Sequence, residues 1–144
     1  MANSVCNVLV TEAALQNPTE GDIDPTAGAI VDFRGVVRKL EDAREIEGID
    51  YEAHRAMAEH QMQLIANAAA KKFGLNEVLL HHRIGFVRAG EASLFLRVRA
   101  RRRGAAFEAS KWIVDELKRK VPIWKKPKFK ATSSISNRET VTAR

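Results

Sequence analysis

The chain is poor in several features that mark common classes of protein. Its single cysteine, Cys6, excludes an internal disulfide and any paired-thiol redox site. No apolar run reaches the length of a membrane span, and the first ten residues lack the charged and apolar regions of a signal peptide. Aromatic residues make up only 6% of the sequence, which is thin for a protein that stacks single-stranded bases. These absences predict a cytoplasmic protein and argue against nucleic acid or a membrane as its partner.

The motifs of several enzyme classes are also missing. There is no Gly-x-Ser-x-Gly elbow, and the glycines are scattered singly, so no phosphate-binding loop is present. His81 and His82 are adjacent in a predicted strand, which directs their side chains to opposite faces, and no cysteine pair can complete a zinc site. The sequence therefore predicts neither a metal centre nor a bound cofactor.

Positive charge is in excess, and it is unevenly distributed. The 144 residues carry a formal net charge of +6, but residues 118–144 alone sum to +8, so residues 1–117 are slightly acidic. A second basic cluster consists of five arginines close together in the sequence: Arg97, Arg99, Arg101, Arg102 and Arg103. Such clusters attract anions, which include nucleic acids, phosphorylated metabolites and acidic partner proteins.

Hydrophobic periodicity predicts an α+β fold, because strands and helices are mixed without regular alternation. Strands are predicted over Val5–Val10, Gly28–Val37, Ile46–Ala53, Glu77–Ile84 and Ala92–Arg101. Helices are predicted over His54–Phe73 and from Phe107 to about Val121. Residues 1–131 are expected to form one domain, followed by a flexible, basic, Ser/Thr-rich tail over residues 132–144.

Three local expectations accompany this assignment. The segment Arg38–Glu45 is predicted to be a charged loop. The first helix is predicted to end at a Gly74 C-cap and to bury a stripe of apolar side chains, namely Met57, Leu64, Ile65, Ala68 and Phe73. In the strand Ala92–Arg101, the apolar residues are expected on one face and the arginines on the other.

The most informative segment is residues 107–126, which read FEASKWIVDELKRKVPIWKK. It places Lys118 and Lys125 on either side of a helix stop at Pro122. Trp124 is expected to anchor the following loop and so to fix the direction of Lys125. Two ammonium groups held there suit a small, doubly charged substrate. The alternative is a solvated basic helix end, which the helix dipole also favours.

Arginines extend this set of cations. Arg38 follows the second predicted strand, and Arg102 and Arg103 stand at the junction of the last predicted strand with its helix. Arginine suits phosphate through its planar fork, whereas lysine can take part in acid–base chemistry. These residues predict an anion-handling enzyme if they converge in a pocket, or a basic binding module if they spread over an exposed face.

At these residues the chain resembles the large catalytic subunit of molybdopterin synthase. The matching segments follow the family's order: GAIVDFRGVVR (28–38), IDYEAHRAMAE (49–59), HHRIGFVRAGEASLFLRV (81–98) and RGAAFEASKWIVDELKRKVPIWKK (103–126). The resemblance implies an α/β-hammerhead-like fold, with a mixed, mostly antiparallel sheet and two main helices.

The resemblance also implies an activity. Enzymes of this family are sulfurtransferases that convert cyclic pyranopterin monophosphate, the pterin phosphate substrate, into molybdopterin by installing two dithiolene sulfurs. The sulfur arrives as a thiocarboxylate on the Gly-Gly C-terminus of a small ubiquitin-like subunit, within a heterotetramer built on a homodimer of large subunits. Matching positions make Lys118 and Lys125 catalytic, and they assign substrate binding to those two lysines and to Arg38, Arg102, Arg103 and Lys126.

Three features depart from the family's pattern. A His-Arg pair is replaced by Arg102-Arg103, which puts a permanent cation where a titratable group is usual. The family's Trp-Lys-Lys-Glu ends in Pro127 here, which removes a carboxylate and a backbone donor. The usual aromatic-containing C-terminal segment gives way to the basic tail. A divergent member with weakened or altered activity, acting as a basic anion- or partner-binding module, is therefore the alternative.

Overall fold

The computed structural model describes residues 5–18 and 24–131. In these two ranges the chain forms β1 (Val5–Thr11), β2 (Ala29–Val36), β3 (Leu40–Glu41), β4 (Arg44–Ala53), α1 (Arg55–Phe73), β5 (Glu77–Arg83), β6 (Gly85–Arg88), β7 (Ala92–Ala100), α2 (Arg103–Lys120) and β8 (Ile123–Phe129). Neither of the helices in the described ranges is long and apolar enough to cross a membrane. The tail predicted over residues 132–144 lies outside the described residues.

The first sheet has the strand order β1-β5-β7-β2. β1 pairs with β5 in parallel, and the other pairs are antiparallel. α1 and α2 pack against this sheet and against each other, and the main hydrophobic core lies between them. Met62 of α1, Ile113 of α2 and Leu96 of β7 are fully buried there. The predicted α+β class, with two main helices and mostly antiparallel pairing in the described part of the chain, is confirmed.

The second sheet is built around β4, which pairs antiparallel with β3, β6 and β8. The backbones of β4 and β6 approach closely at Gly48, where an added Cβ would lie 2.2 Å from the carbonyl oxygen of Val87. Only glycine fits such an approach. A smaller hydrophobic core, which includes Ile46, Ile49 and Val87, supports this sheet.

The buried face of α1 differs from the predicted stripe. Ile65 is buried, Phe73 packs against the core, and Gly74 ends the helix at a φ of 63°, as predicted. Met57 and Leu64, however, are 52% and 49% exposed, and Ala68 is exposed as well. The core side is formed mainly by alanines, namely Ala58, Ala66, Ala69 and Ala70, together with Met62 and Ile65. Alanine lets the helix approach the sheet closely, and a stripe chosen by side-chain size therefore pointed to the wrong face.

Two predicted loops prove to be sheet. The segment Arg38–Glu45 contains the β3–β4 hairpin, whose two-residue turn places Asp42 and Ala43 at φ values of 51° and 63°. Such turns usually carry Asn-Gly or Asp-Gly, and this one lacks the glycine by which it could have been predicted. The segment after Pro122 is strand β8, and Trp124 is 60% exposed rather than an anchor. Backbone pairing with β4 fixes this segment instead.

The two arginines of β7, Arg97 and Arg99, do lie on the face opposite Leu94, Leu96 and Val98, but both are buried. Arg97 binds Asp32 through two hydrogen bonds, Nε to Oδ1 at 2.7 Å and Nη2 to Oδ2 at 2.9 Å. The Nε atom of Arg99 lies 2.6 Å from Oε1 of Glu77. These guanidinium groups are engaged inside the protein, so the interpretation of Arg97 and Arg99 as part of an anion-attracting cluster is wrong.

Candidate active site

A cavity of about 600 Å³ lies between the C-terminal end of α2, the second sheet and the end of β2. Three of the six predicted site residues line it: Arg38, Lys118 and Lys125. Its volume is in the range of sites that take small molecules or cofactors. The structure thus brings the two predicted catalytic lysines and one arginine together, although they come from different elements.

The end of α2 and the start of β8 place the two lysines. Lys118 stands in the last turn of α2, on the side that carries Val114 and Leu117, which also line the cavity. The helix ends at Val121, whose backbone is extended with φ −90° and ψ 123°. Pro122 has no N–H and cannot continue the helix. The chain then turns into β8, where Lys125 lies opposite Tyr51 of β4.

Arg38 is held through the residue before it. Val37 is buried, its N–H donates to the carbonyl of Glu91, and its carbonyl accepts from the N–H of Gly90, at 3.0 and 2.8 Å. The Arg38 side chain itself is exposed. A fixed backbone with a free guanidinium is suited to binding an anion that enters from solvent.

The cations that line the cavity and the lysines next to it differ in whether they form ion pairs. Three lysines of and just after β8 pair with glutamates of β4: Lys126 with Glu52 at 3.0 Å, Lys128 with Glu47 at 3.7 Å and Lys130 with Glu45 at 3.2 Å. Arg38, Lys118 and Lys125 form no ion pair or side-chain hydrogen bond within residues 5–18 and 24–131. The cations that line the cavity thus differ from these neighbouring lysines, because none of the three is held by a carboxylate in the described part of the chain.

Lys126 is a neighbour of Lys125 but does not line the cavity. Successive side chains of a strand point to opposite faces, and Lys126 is directed to the side where Glu52 binds it. The resemblance assigns substrate binding to this residue, and the structure places it next to the cavity wall rather than inside it.

Arg102 and Arg103 are exposed at the opposite end of α2. Fifteen residues of helix separate Arg103 from Lys118, which corresponds to about 22 Å along the axis. The Arg102 side chain makes no capping hydrogen bond, and the first turn contains no acid. Cations at a helix N-terminus are disfavoured by the helix dipole. The structure does not bring these two arginines to the cavity of the same chain.

The cavity also has uncharged polar groups that the sequence reasoning missed. The Tyr51 hydroxyl donates to Oγ of Ser93 at 3.2 Å. Nδ1 of His82 lies 2.7 Å from the carbonyl oxygen of Arg83, so this nitrogen carries the proton and donates. Burial raises the pKa of the Tyr51 phenol and lowers the pKa of the His82 imidazole, so both are neutral at pH 7. Only the alternation of their strands could have indicated which way they point.

A second cavity, of about 610 Å³, lies at the C-terminal end of α1 and is lined by Cys6, Lys71 and Arg101 among others. It contains none of the predicted site residues. Burial raises the pKa of the Cys6 thiol, which disfavours the reactive thiolate there. Among the described residues no three His, Cys, Asp or Glu side chains cluster closely enough to hold a metal ion.

Comparison with known proteins identifies the family. The family model described as MoaE protein matches residues 7–120. The molybdopterin synthase catalytic subunit of Pyrococcus abyssi is 43% identical over 101 residues, which cover 70% of this chain and 68% of that protein. The Homo sapiens protein of the same name is 31% identical over 133 residues, which cover 92% of this chain and 71% of that protein. This chain belongs to the MoaE family, as its resemblance predicted.

Solved structures agree with this assignment. Molybdopterin synthase from Staphylococcus aureus superposes with a TM-score of 0.79 at 28% identity, covering 85% of this chain and 91% of that one. The complex of subunits 1 and 2 of the molybdopterin-converting factor from Helicobacter pylori includes a chain with a TM-score of 0.60 at 24% identity, covering 76% and 75%. The latter likeness supports the fold alone.

Proposed function

We propose that this chain is the catalytic subunit of a molybdopterin synthase, a cytoplasmic sulfurtransferase that converts cyclic pyranopterin monophosphate into molybdopterin. A small ubiquitin-like subunit with a Gly-Gly C-terminus supplies the sulfur as a thiocarboxylate. Family membership and the names of the relatives support this reaction class. The proposal assigns Lys118 and Lys125 to catalysis and Arg38 to the substrate phosphate.

One observation carries the proposal. Arg38, Lys118 and Lys125 line one cavity and form no ion pair among the described residues, whereas the neighbouring Lys126 and Lys128 of β8 pair with glutamates of β4. An unpaired cation next to an enclosed space is available to an anionic ligand. The substrate phosphate and the thiocarboxylate are both anions, so their shared site requires several such cations.

These three groups have to stabilise developing charge and also hold the substrate in position. In each transfer the thiocarboxylate sulfur forms a bond to a carbon of the pterin, and an oxygen substituent leaves that carbon. Water then cleaves the acyl carbon–sulfur bond, so that the sulfur stays on the pterin and the carrier is released as a carboxylate. Negative charge develops on the acyl oxygen during this exchange, and fixed ammonium groups stabilise it. Arg38 can hold the phosphate through its planar fork while Lys118 and Lys125 face the reacting atoms.

The placement of Arg102 and Arg103 supports a homodimer within a heterotetramer. Because α2 separates them from the cavity of their own chain, they can bind substrate only at the cavity of a second copy. The extended C-terminus of the small subunit would enter the cavity and place its terminal group against the cations, as peptide tails do in other carboxylate-binding grooves. The complex of two subunits solved for the Helicobacter pylori protein is consistent with such an assembly.

The decisive experiment measures molybdopterin formed from the cyclic precursor and the thiocarboxylated small subunit. Lys118→Ala should lower turnover by about 100-fold or more, which is the scale of losing a charge that stabilises the transition state. Lys111→Ala is the matched control, since Lys111 lies on the same helix but is exposed and pairs with Asp115 at 2.8 Å. Lys111→Ala should stay within about threefold of the unmodified chain.

Two outcomes would contradict the proposal. Near-normal turnover by Lys118→Ala would remove the catalytic assignment. No molybdopterin from the unmodified chain, together with tight binding of nucleic acid that weakens steeply with salt, would favour the basic binding module instead.

A further inference from the structure

Besides its three cations, the part of the chain that the structure describes supplies one carboxylate to the cavity lining, that of Glu41. Glu41 is half-buried, at the end of β3, close to the hairpin turn. Its negative charge contributes to raising the pKa of the Tyr51 phenol, after burial. The carboxylate therefore faces the same part of the cavity as Tyr51, whose ring belongs to the wall formed by β4.

The Glu41 carboxylate has no partner of its own among the described residues. Within residues 5–18 and 24–131 it forms no ion pair and no hydrogen bond. The glutamates of β4 behave differently, because Glu45, Glu47 and Glu52 each pair with a lysine. A half-buried carboxylate loses part of its hydration, and a ligand that donates hydrogen bonds can replace the lost water.

The hairpin holds Glu41 in a defined place. Glu41 pairs with Arg44 across a two-residue turn, and Leu40 pairs with Glu45. Both turn residues, Asp42 and Ala43, adopt positive φ values. So short a connection leaves little freedom to the strand end that carries Glu41.

The proposed substrate has two chemically opposite ends. Its cyclic phosphate is an anion, whereas the pyrimidinone ring of the pterin presents a ring N–H and an exocyclic amino group side by side. Two adjacent N–H donors match the two oxygens of a carboxylate, in the way that carboxylates read donor edges of nucleic-acid bases. A cavity with cations and one free carboxylate is complementary to both ends.

We propose that Glu41 is a specificity-determining residue that accepts hydrogen bonds from the pyrimidinone edge of the pterin. This inference rests on the proposed function, since it assumes a pterin substrate. Glu41 and the cations together orient the substrate, so that the carbons that receive sulfur lie toward Lys118 and Lys125. Glu41 itself takes no part in the proton or sulfur transfer.

The test uses the chain assembled with its small subunit and compares Glu41→Gln with Glu45→Gln. Glutamine keeps the size of the side chain but replaces one acceptor oxygen with a donor, which faces the donors of the pterin. Glu45→Gln is the matched control, because Glu45 lies on the paired strand of the same hairpin but binds Lys130 outside the cavity. The readouts are KM and kcat for the cyclic precursor, and competition by two probes, neopterin and inorganic phosphate.

Glu41→Gln should raise KM and weaken neopterin binding by about tenfold or more, which is the scale of losing charge-assisted hydrogen bonds. Its kcat should change by less than about threefold, and inhibition by inorganic phosphate should be unchanged or tighter. Glu45→Gln should match the unmodified chain in all four measurements.

The inference is overturned if the unmodified chain forms molybdopterin and Glu41→Gln has the same KM and the same neopterin affinity as the unmodified chain. A fall in kcat at unchanged KM would also overturn it, because it would mean that Glu41 transfers a proton. Failure of the unmodified chain to form molybdopterin would instead reject the proposed function, so the two failures are distinguishable.

Discussion

Lys125 of β8 lies directly opposite Tyr51 of β4, and both side chains line the same cavity. Opposed residues of an antiparallel pair share one face of the sheet, so the register of β8 against β4 determines the direction of Lys125. Shifting this register by one residue would replace Lys125 with Lys126 at the cavity wall. Strand pairing therefore selects which of these two lysines lines the cavity.

The structure places only Lys125 at the cavity, whereas the family resemblance assigns substrate binding to both Lys125 and Lys126. Replacing each lysine with alanine distinguishes these two assignments. Lys125→Ala should reduce kcat/KM for molybdopterin formation by about 100-fold, because it removes a charge from the reaction cavity. Lys126→Ala should lose less than about threefold, since its ammonium pairs with Glu52 on the other side of the strand. Equal losses in the two variants would return Lys126 to the substrate-binding role that the resemblance implies.

Arg102 should lower the stability of α2 while it contributes to substrate binding. It occupies the N-cap of α2 without capping it. Arg102→Ser should raise the free energy of unfolding by about 0.5–1 kcal/mol, because serine caps free N–H groups and removes a cation from the positive end of the dipole. The same variant should raise KM for the cyclic precursor. Urea unfolding at a fixed protein concentration and steady-state kinetics measure both effects.

Arg102→Ala serves as the control for this pair of effects. It removes the guanidinium without supplying a cap, so it should raise KM similarly but gain less stability than Arg102→Ser. A stability loss in Arg102→Ser would show that Arg102 makes a structural contact in the assembled protein.

Stability should fall as the pH is lowered from 7 toward 5. Burial lowers the pKa values of His81 and His82 in the folded chain below the ordinary 6.5. The unfolded chain therefore binds protons first, and the stability present above pH 6.5 is lost as the pH falls toward the lowered folded values. The slope is at most about 1.4 kcal/mol per pH unit for each imidazole.

His82→Asn tests the share of one imidazole in this dependence. Asparagine can still donate to the Arg83 carbonyl but does not titrate. Urea midpoints of this variant should change less between pH 7 and 5 than those of the unmodified chain. An identical pH profile would mean that the imidazole of His82 has the same pKa in the folded and the unfolded chain.

The buried pair between Asp32 and Arg97 should be important for stability. Asp32→Ala removes two charge-assisted hydrogen bonds from a guanidinium whose side chain is only 5% exposed. We expect a loss of about 2–4 kcal/mol in the free energy of unfolding, measured by urea denaturation. Asp115→Ala, which breaks an exposed pair with Lys111, should leave the midpoint close to that of the unmodified chain.

Local signals predicted the parts of the site that depend on one stretch of chain. Pro122 indicated where α2 ends, and the segment around Lys118 and Lys125 carried the family resemblance. The alternating pattern of β7 was equally readable, because every second side chain enters the core. Helix stops and strand alternation are properties of near neighbours in sequence, so one sequence suffices to find them.

The remaining features depend on residues that are distant in sequence. Arg97 is buried because Asp32, 65 residues earlier, lies beside it in the sheet. Glu41 reaches the cavity through a hairpin whose Asp42-Ala43 turn lacks the glycine that would have announced it. No local pattern specifies which strands become neighbours, and so the sequence alone does not predict which charged side chains pair.

The helix α2 carries predicted site residues at both ends, with Arg103 at one and Lys118 near the other. Adding or deleting one residue in an α-helix turns everything beyond it by about 100° and shifts it by about 1.5 Å. A single-codon insertion between Ala109 and Leu117 would therefore rotate Lys118 away from the cavity even if every side chain were kept. The number of residues in α2 is therefore constrained by the position of Lys118, whereas many of the residue types in the helix can change without moving that lysine.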